Sequence, residues 1–188
     1  MRLFVALNLP DPVREALWRA AEPLRALDLP VRWVRPESLH VTLKFLGDVG
    51  EEREPELVAA LRRAAGQGGE SRPLTLTLRE FGAFPDLGAP RVLWVGIAAE
   101  PALELLQHRV EREFAPLGFP PEGRPFRPHL TLGRAERDAR ARDFRRLAPA
   151  VERLRFEETV TIETLDLMQS TLRPDGAVYH PRHRERLS

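Results

Sequence analysis

Ser38-Leu39-His40-Val41-Thr42-Leu43-Lys44 and Arg127-Pro128-His129-Leu130-Thr131-Leu132-Gly133-Arg134 carry one pattern twice, histidine-apolar-threonine-leucine. The two histidines stand 89 residues apart. Side chains alternate faces along a strand, so His40 and Thr42 point one way while Val41 and Leu43 point the other. The second copy divides likewise, His129 and Thr131 against Leu130 and Leu132. Each copy anchors an apolar face in a core and presents an imidazole beside a hydroxyl on the opposite face. Each is also preceded by a strand–helix–strand stretch of similar size. A duplicated half of this kind puts the two copies on two lobes, facing each other across a cleft.

Working outward, residues 2–7 read as a buried strand, and Asp11 to Ala26 as a helix with Pro12 in its first turn. Val31–Val34 and Leu39–Leu46 read as strands, Glu52–Ala65 as a helix, and 74–78 as an alternating strand. Arg91–Ile97 (strand), Ala102–Phe114 (helix), a proline-rich loop over 116–128 and the strand His129–Leu132 come next. Asp138–Leu147 is expected to be helical. Glu158–Met168 and Ala177–Tyr179 form a closing hairpin about Arg173-Pro174-Asp175-Gly176. Strands outnumber helices and several connections suit antiparallel neighbours, so the fold class is α+β rather than a doubly wound parallel sheet. No linker separates independent units, so residues 1–188 are expected to form one domain.

Composition narrows the chemistry. Of 188 residues 43% are hydrophobic and 30% charged, as in ordinary globular chains. No apolar run is long enough to span a membrane, and the N-terminal run is too short for a signal peptide, so a cytoplasmic location is expected. The absence of cysteine excludes disulfides, thiolate nucleophiles and Cys-bearing metal sites. A net charge of +1 makes no global case for nucleic acid, so any RNA contact must be local. Among 29 basic residues Lys44 is the one lysine.

Two imidazoles on opposite sides of a phosphorus atom can open a cyclic phosphodiester. One takes a proton from water and the other gives one to the departing ribose oxygen, and histidine serves either role near neutral pH. Threonine hydroxyls and a cation would hold the non-bridging oxygens, where charge develops. Lys44 and Arg134 lie next to the motifs. Strict alternation aims Arg134 at the apolar face, unless a bulge at Gly133 turns it into the cleft. A single His-x-Thr in a strand is commonplace, and it is the repetition that carries the functional reading. His108 reads as a helix-flank residue, and His180 and His183 as part of a solvated, arginine-crowded C-terminus. Trp33 and Trp94 read as core. Phe126, in the loop before the second motif, is the better candidate to stack a base.

The segments Leu39–Gly47 and Arg127–Arg134 resemble the paired motifs of the two-histidine (2H) phosphoesterases. The likeness is closest to the RNA 2',3'-cyclic phosphodiesterases, also called 2'-5' RNA ligases. Arg2-Leu3-Phe4-Val5-Ala6-Leu7, Arg91-Val92-Leu93-Trp94-Val95-Gly96, Met168-Gln169-Ser170 and Tyr179-His180 extend it over nearly the whole chain. The resemblance implies a bilobal α+β fold, with a pseudo-twofold cleft between two antiparallel sheets. It implies hydrolysis of a terminal 2',3'-cyclic phosphate on RNA to a 2'-phosphate, with no metal and no cofactor. His40 would be the proton donor and His129 the proton acceptor, with Thr42, Thr131 and Arg134 on the phosphate. A monomer without an obligatory protein partner is the simpler expectation. The alternatives are a ligase running the reverse reaction with a 5'-hydroxyl RNA end, a non-catalytic RNA-end binding module, and a metal-dependent phosphoesterase.

Overall fold

A computed structural model describes residues 1–70 and 72–188. Strands β1 (Arg2–Asn8), β2 (Val31–Trp33), β3 (His40–Asp48), β4 (Leu74–Phe84) and β5 (Val92–Ile97) are succeeded by β6 (His129–Ala135), β7 (Glu157–Ile162), β8 (Thr164–Arg173) and β9 (Gly176–Arg186). Helices α1 (Asp11–Ala20), α2 (Glu22–Arg25), α3 (Glu54–Ala65), α4 (Pro101–Phe114) and α5 (Leu147–Arg153) are interspersed. The strands form a curled antiparallel sheet in the order β7-β4-β5-β6-β3-β1-β8-β9, with β2 on β6. Two separate sheets were the expectation. The strands instead join into one sheet, at the junction of β3 and β6, where the paired residues are Val41 and Leu130. The two motif-bearing strands thus lie side by side at its centre.

Helix α3 packs on α4, β8 and β9, and α4 also packs on β3 and β4. Their inward stripes (Leu57, Leu61 and Ala64; Leu103, Leu106, Val110 and Phe114) join Val41, Leu43, Leu130 and Leu132 in a continuous buried core. This is the face the motif leucines were expected to supply. The opposite face of the central strands is left for polar side chains.

Two expected elements differ. Over 138–147 the chain makes only a 3-10 turn (Ala141–Phe144), and the helix proper begins at Leu147. Only Phe144 and Leu147 are buried there, too few inward positions to hold a longer helix against the core. The C-terminus is an ordered strand rather than a tail, although His180, Arg182 and Arg184 are exposed as expected. β9 runs to Arg186 and pairs with β8 along its whole length, with an irregularity at Met168, which faces Pro181. Proline and alternating arginines hide the strand from a propensity reading. Both are tolerated because β9 is the sheet edge, with one side free of ladder partners.

Candidate active site

Paired irregularities set the site. In β3, Leu43 and Lys44 are both buried, and the register against β1 slips between Val5 and Ala6. In β6, Leu132 and Gly133 are both buried, and the register against β5 slips between Leu93 and Trp94. Each bulge reverses the face of the residues beyond it. Arg134, five positions after His129, is thereby turned outward and lines the cleft. Gly133 is required there, because a Cβ would meet Val31 Cγ1 of the paired strand β2 at 2.6 Å. The equivalent position five after His40 is Phe45, which is 61% exposed and lines the same cleft. Phe45 is not among the candidates drawn from the sequence above.

His40, Thr42, His129 and Thr131 all line one cleft of about 1570 Å³. About the Val41–Leu130 pair, antiparallel register puts His40 and Thr131 in flanking positions, and Thr42 and His129 likewise. The two histidines are therefore diagonal neighbours on one face, a relation that spaces side-chain origins by roughly 7–8 Å.

Both rings are tethered in the same way. His40 Nδ1 lies 2.7 Å from the Ser38 carbonyl, and His129 Nδ1 lies 2.7 Å from the Arg127 carbonyl. A carbonyl only accepts, so each Nδ1 carries a proton and donates it. With Nδ1 engaged in this way, Nε2 is the nitrogen left to work in each ring. Thr42 Oγ1 stands 3.0 Å from His40 Nε2 and donates to it in this tautomer.

Packing around the two rings differs. His40 lies between Phe4 and Tyr179, with ring centroids 5.0 Å away in each case. His129 meets the edge of Phe84 at 5.1 Å. The pKa of His40 is lowered from 6.5 to about 4. Burial is the main cause, since it strips hydration from the imidazolium. The Ser38 carbonyl pulls the other way, while the charges of Arg14 and Arg134 add to the lowering. Arg134 belongs to the His129 strand, so its effect on His40 reports proximity across the cleft.

Lys44 is not where alternation put it. It is 3% exposed, and its ammonium donates to Glu111 Oε2 at 2.5 Å and to the Pro120 carbonyl at 3.0 Å. The bulge before it turns the side chain toward α4, where it pairs with Glu111, although the residue still borders the cleft. Phe126 lines the cleft but is half-buried against the core, whereas Phe45 presents an open ring. Trp33 packs against the core as expected. His108 also reaches the cleft wall, as a flank residue of α4. Among the described residues, no group of three or more His, Asp or Glu side chains could hold a metal ion. Likewise among them, no helix is long and apolar enough to cross a membrane.

A family model described as the 2'-5' RNA ligase superfamily matches residues 12–173. An RNA 2',3'-cyclic phosphodiesterase of Methanothermobacter thermautotrophicus is 35% identical over 181 residues, covering 95% of either chain. A Thermus thermophilus protein of the same name is 36% identical over 187 residues, covering 95% of this chain and 86% of its own. Among solved structures, a Thermus thermophilus protein superposes with a TM-score of 0.80 at 32% identity, covering 100% of this chain and 98% of its own. E. coli LigT in complex with 3'-AMP superposes at 0.73 and 29% identity, again covering 100% and 98%. With the doubled motif, the shared fold and these likenesses together, the chain belongs to the 2'-5' RNA ligase superfamily of two-histidine phosphoesterases.

Proposed function

We propose that the protein is an RNA 2',3'-cyclic phosphodiesterase that hydrolyses a terminal cyclic phosphate to a 2'-phosphomonoester. The observation that carries this reading is the pair of imidazoles tethered alike through Nδ1 on one cleft, with His40 Nε2 3.0 Å from the Thr42 hydroxyl. In the reaction, the oxygen of a water molecule bonds to phosphorus as the bond from phosphorus to the ribose 3' oxygen breaks. His129 Nε2 takes the water proton, and His40 Nε2 delivers a proton to the 3' oxygen. Thr42 and Thr131 donate to the non-bridging oxygens, and the Arg134 guanidinium faces the charge that grows on them. Phe45 offers its open ring to the terminal base.

The low pKa of His40 bears on this division of labour. The free protein holds that ring neutral near pH 7, so the acid form is created when an anionic phosphate arrives and favours imidazolium. Proton uptake is thus coupled to substrate binding. The pseudo-twofold, two-lobed reading of residues 1–188 is supported by the matching bulges and by the single pair Val41–Leu130 that joins the halves.

The test is product analysis on a short RNA ending in a 2',3'-cyclic phosphate, in excess EDTA. A 2'-phosphate is expected. An unchanged end, or loss of turnover in EDTA, would overturn the reading. Ligation uses the same residues with a 5'-hydroxyl in place of water, so a parallel incubation with a 5'-hydroxyl oligonucleotide tells the two apart.

A further inference from the structure

The cleft is larger than a terminal nucleotide requires, and its basic lining extends beyond the two histidines. Small-molecule sites are usually about 300–1,000 Å³, whereas this cleft is about 1570 Å³. Arg2, Arg112, Arg124 and Arg127 line it in addition to Arg134. The chain as a whole carries only +1, so this basic lining is a local concentration. The acidic groups there do not cancel it. Glu111 is taken by Lys44 and Glu122 is the remaining carboxylate in the wall, while Arg112 is offset by its pairing with Glu113.

The arginines are also presented on a stiff support. Residues 120–128 (Pro120-Pro121-Glu122-Gly123-Arg124-Pro125-Phe126-Arg127-Pro128) contain four prolines in nine positions. The strap is fastened at both ends, by Lys44 to the Pro120 carbonyl and by His129 to the Arg127 carbonyl. Phe126 packs inward between Arg124 and Arg127, both of which are exposed. A proline-stiffened segment pinned at its ends loses little freedom when its exposed groups bind. This also accounts for the solitary lysine. The buried point is filled by a compact ammonium that splits its donors between a carboxylate and a carbonyl, a task to which a flat guanidinium is poorly suited.

Resting on the phosphodiesterase reading above, we infer that the strap 120–128, through Arg124 and Arg127, forms a subsite for the phosphodiesters 5' of the cyclic end. The enzyme then works on an RNA strand in preference to a cyclic mononucleotide. The terminal nucleotide occupies the histidine pair and Phe45, while the preceding backbone lies against Arg124 and Arg127.

The experiment compares adenosine 2',3'-cyclic phosphate with the trimer ApApA ending in the same cyclic phosphate, across about 50 to 200 mM salt. The trimer is expected to have kcat/KM about tenfold higher or more, since tenfold is the return on modest contacts to its two internal phosphates. Its log–log salt dependence is expected to be steeper by about 0.7 per engaged phosphate, hence by about 1.4 for two. Arg124→Gln is expected to lower kcat/KM on the trimer severalfold and to remove about 0.7 from its slope, with the mononucleotide changed less than about twofold. Equal kcat/KM and equal slopes for the two substrates would overturn the subsite. So would an Arg124→Gln effect of the same size on both. If the parent turns over neither substrate, the phosphodiesterase reading itself has failed and this inference falls with it.

Discussion

Lowering the pH probes His40 before any substrate is added. In the folded protein its pKa is about 4 against an ordinary 6.5, chiefly through burial between Phe4 and Tyr179. At pH 7 such a ring is protonated in roughly one molecule in a thousand. The same displacement enters stability through proton linkage. Below the unfolded value of 6.5 the unfolded chain takes up a proton that the folded chain refuses, so stability falls as pH drops. The loss begins near pH 6.5 and levels off below about 4. Its ceiling is about 3 kcal/mol, and the measured value is expected to be smaller because an edge of the ring stays open to the cleft. The assay is urea unfolding from pH 7 to pH 4 for the parent and for His40→Gln, with NMR titration of the ring in the parent. His40→Gln is expected to lose part of the parent's acid slope. A phosphate-bearing product analogue is expected to raise the ring's titration point. A ring titrating at 6 or above in the free protein, or identical acid slopes for parent and variant, would refute the burial argument.

Removing the ammonium in Lys44→Met strands the Glu111 carboxylate in the core, which costs about 3–5 kcal/mol for a broken buried pair. Thermal unfolding is expected to show it as a fall of roughly 6–20 °C for a chain of this size. The pair Lys44→Met with Glu111→Leu is expected to recover much of that fall, and failure to recover would contradict the ion-pair account. Phe45→Ala removes an exposed ring, so stability is expected to change by less than about 0.5 kcal/mol. Its kcat/KM is expected to fall about fivefold or more through loss of one base stack. Arg134→Ala is expected to cut kcat about a hundredfold or more by removing charge stabilisation from the transition state, as read in single-turnover rates.

How much of the fold and site is visible in the chain differs from residue to residue. His40, Thr42, His129 and Thr131 declare themselves because a strand's period of two is rigid and the pattern occurs twice. Arg134 is legible only as a dilemma between alternation and a bulge at Gly133, and the bulge resolves it, with the paired strand β2 leaving no room for a side chain at Gly133. Phe45 does carry a signal. It stands five residues after His40 as Arg134 stands five after His129, so the duplication itself marks it. Lys44 misleads because one inserted residue reverses the face of every side chain beyond it. Nothing local predicts a bulge between Leu43 and Lys44. The rings flanking His40 are unreadable for a different reason, since Phe4 and Tyr179 come from opposite ends of the chain and meet only through the β1–β8–β9 ladder. β9 itself is hidden by Pro181 and its arginines, because its stability comes from pairing with β8 rather than from its own composition.

The central claim is that two imidazoles act together on one phosphorus atom, and a cycle of variants measures it. Single-turnover rates on an RNA with a 2',3'-cyclic end would be taken for His40→Ala, His129→Ala and the double variant. Groups acting in one step are strongly non-additive, so each single change is expected to cost several orders of magnitude and the double little more. A single variant that keeps a tenth of the parental rate, or a double variant whose loss is the full product of the two, would contradict the account.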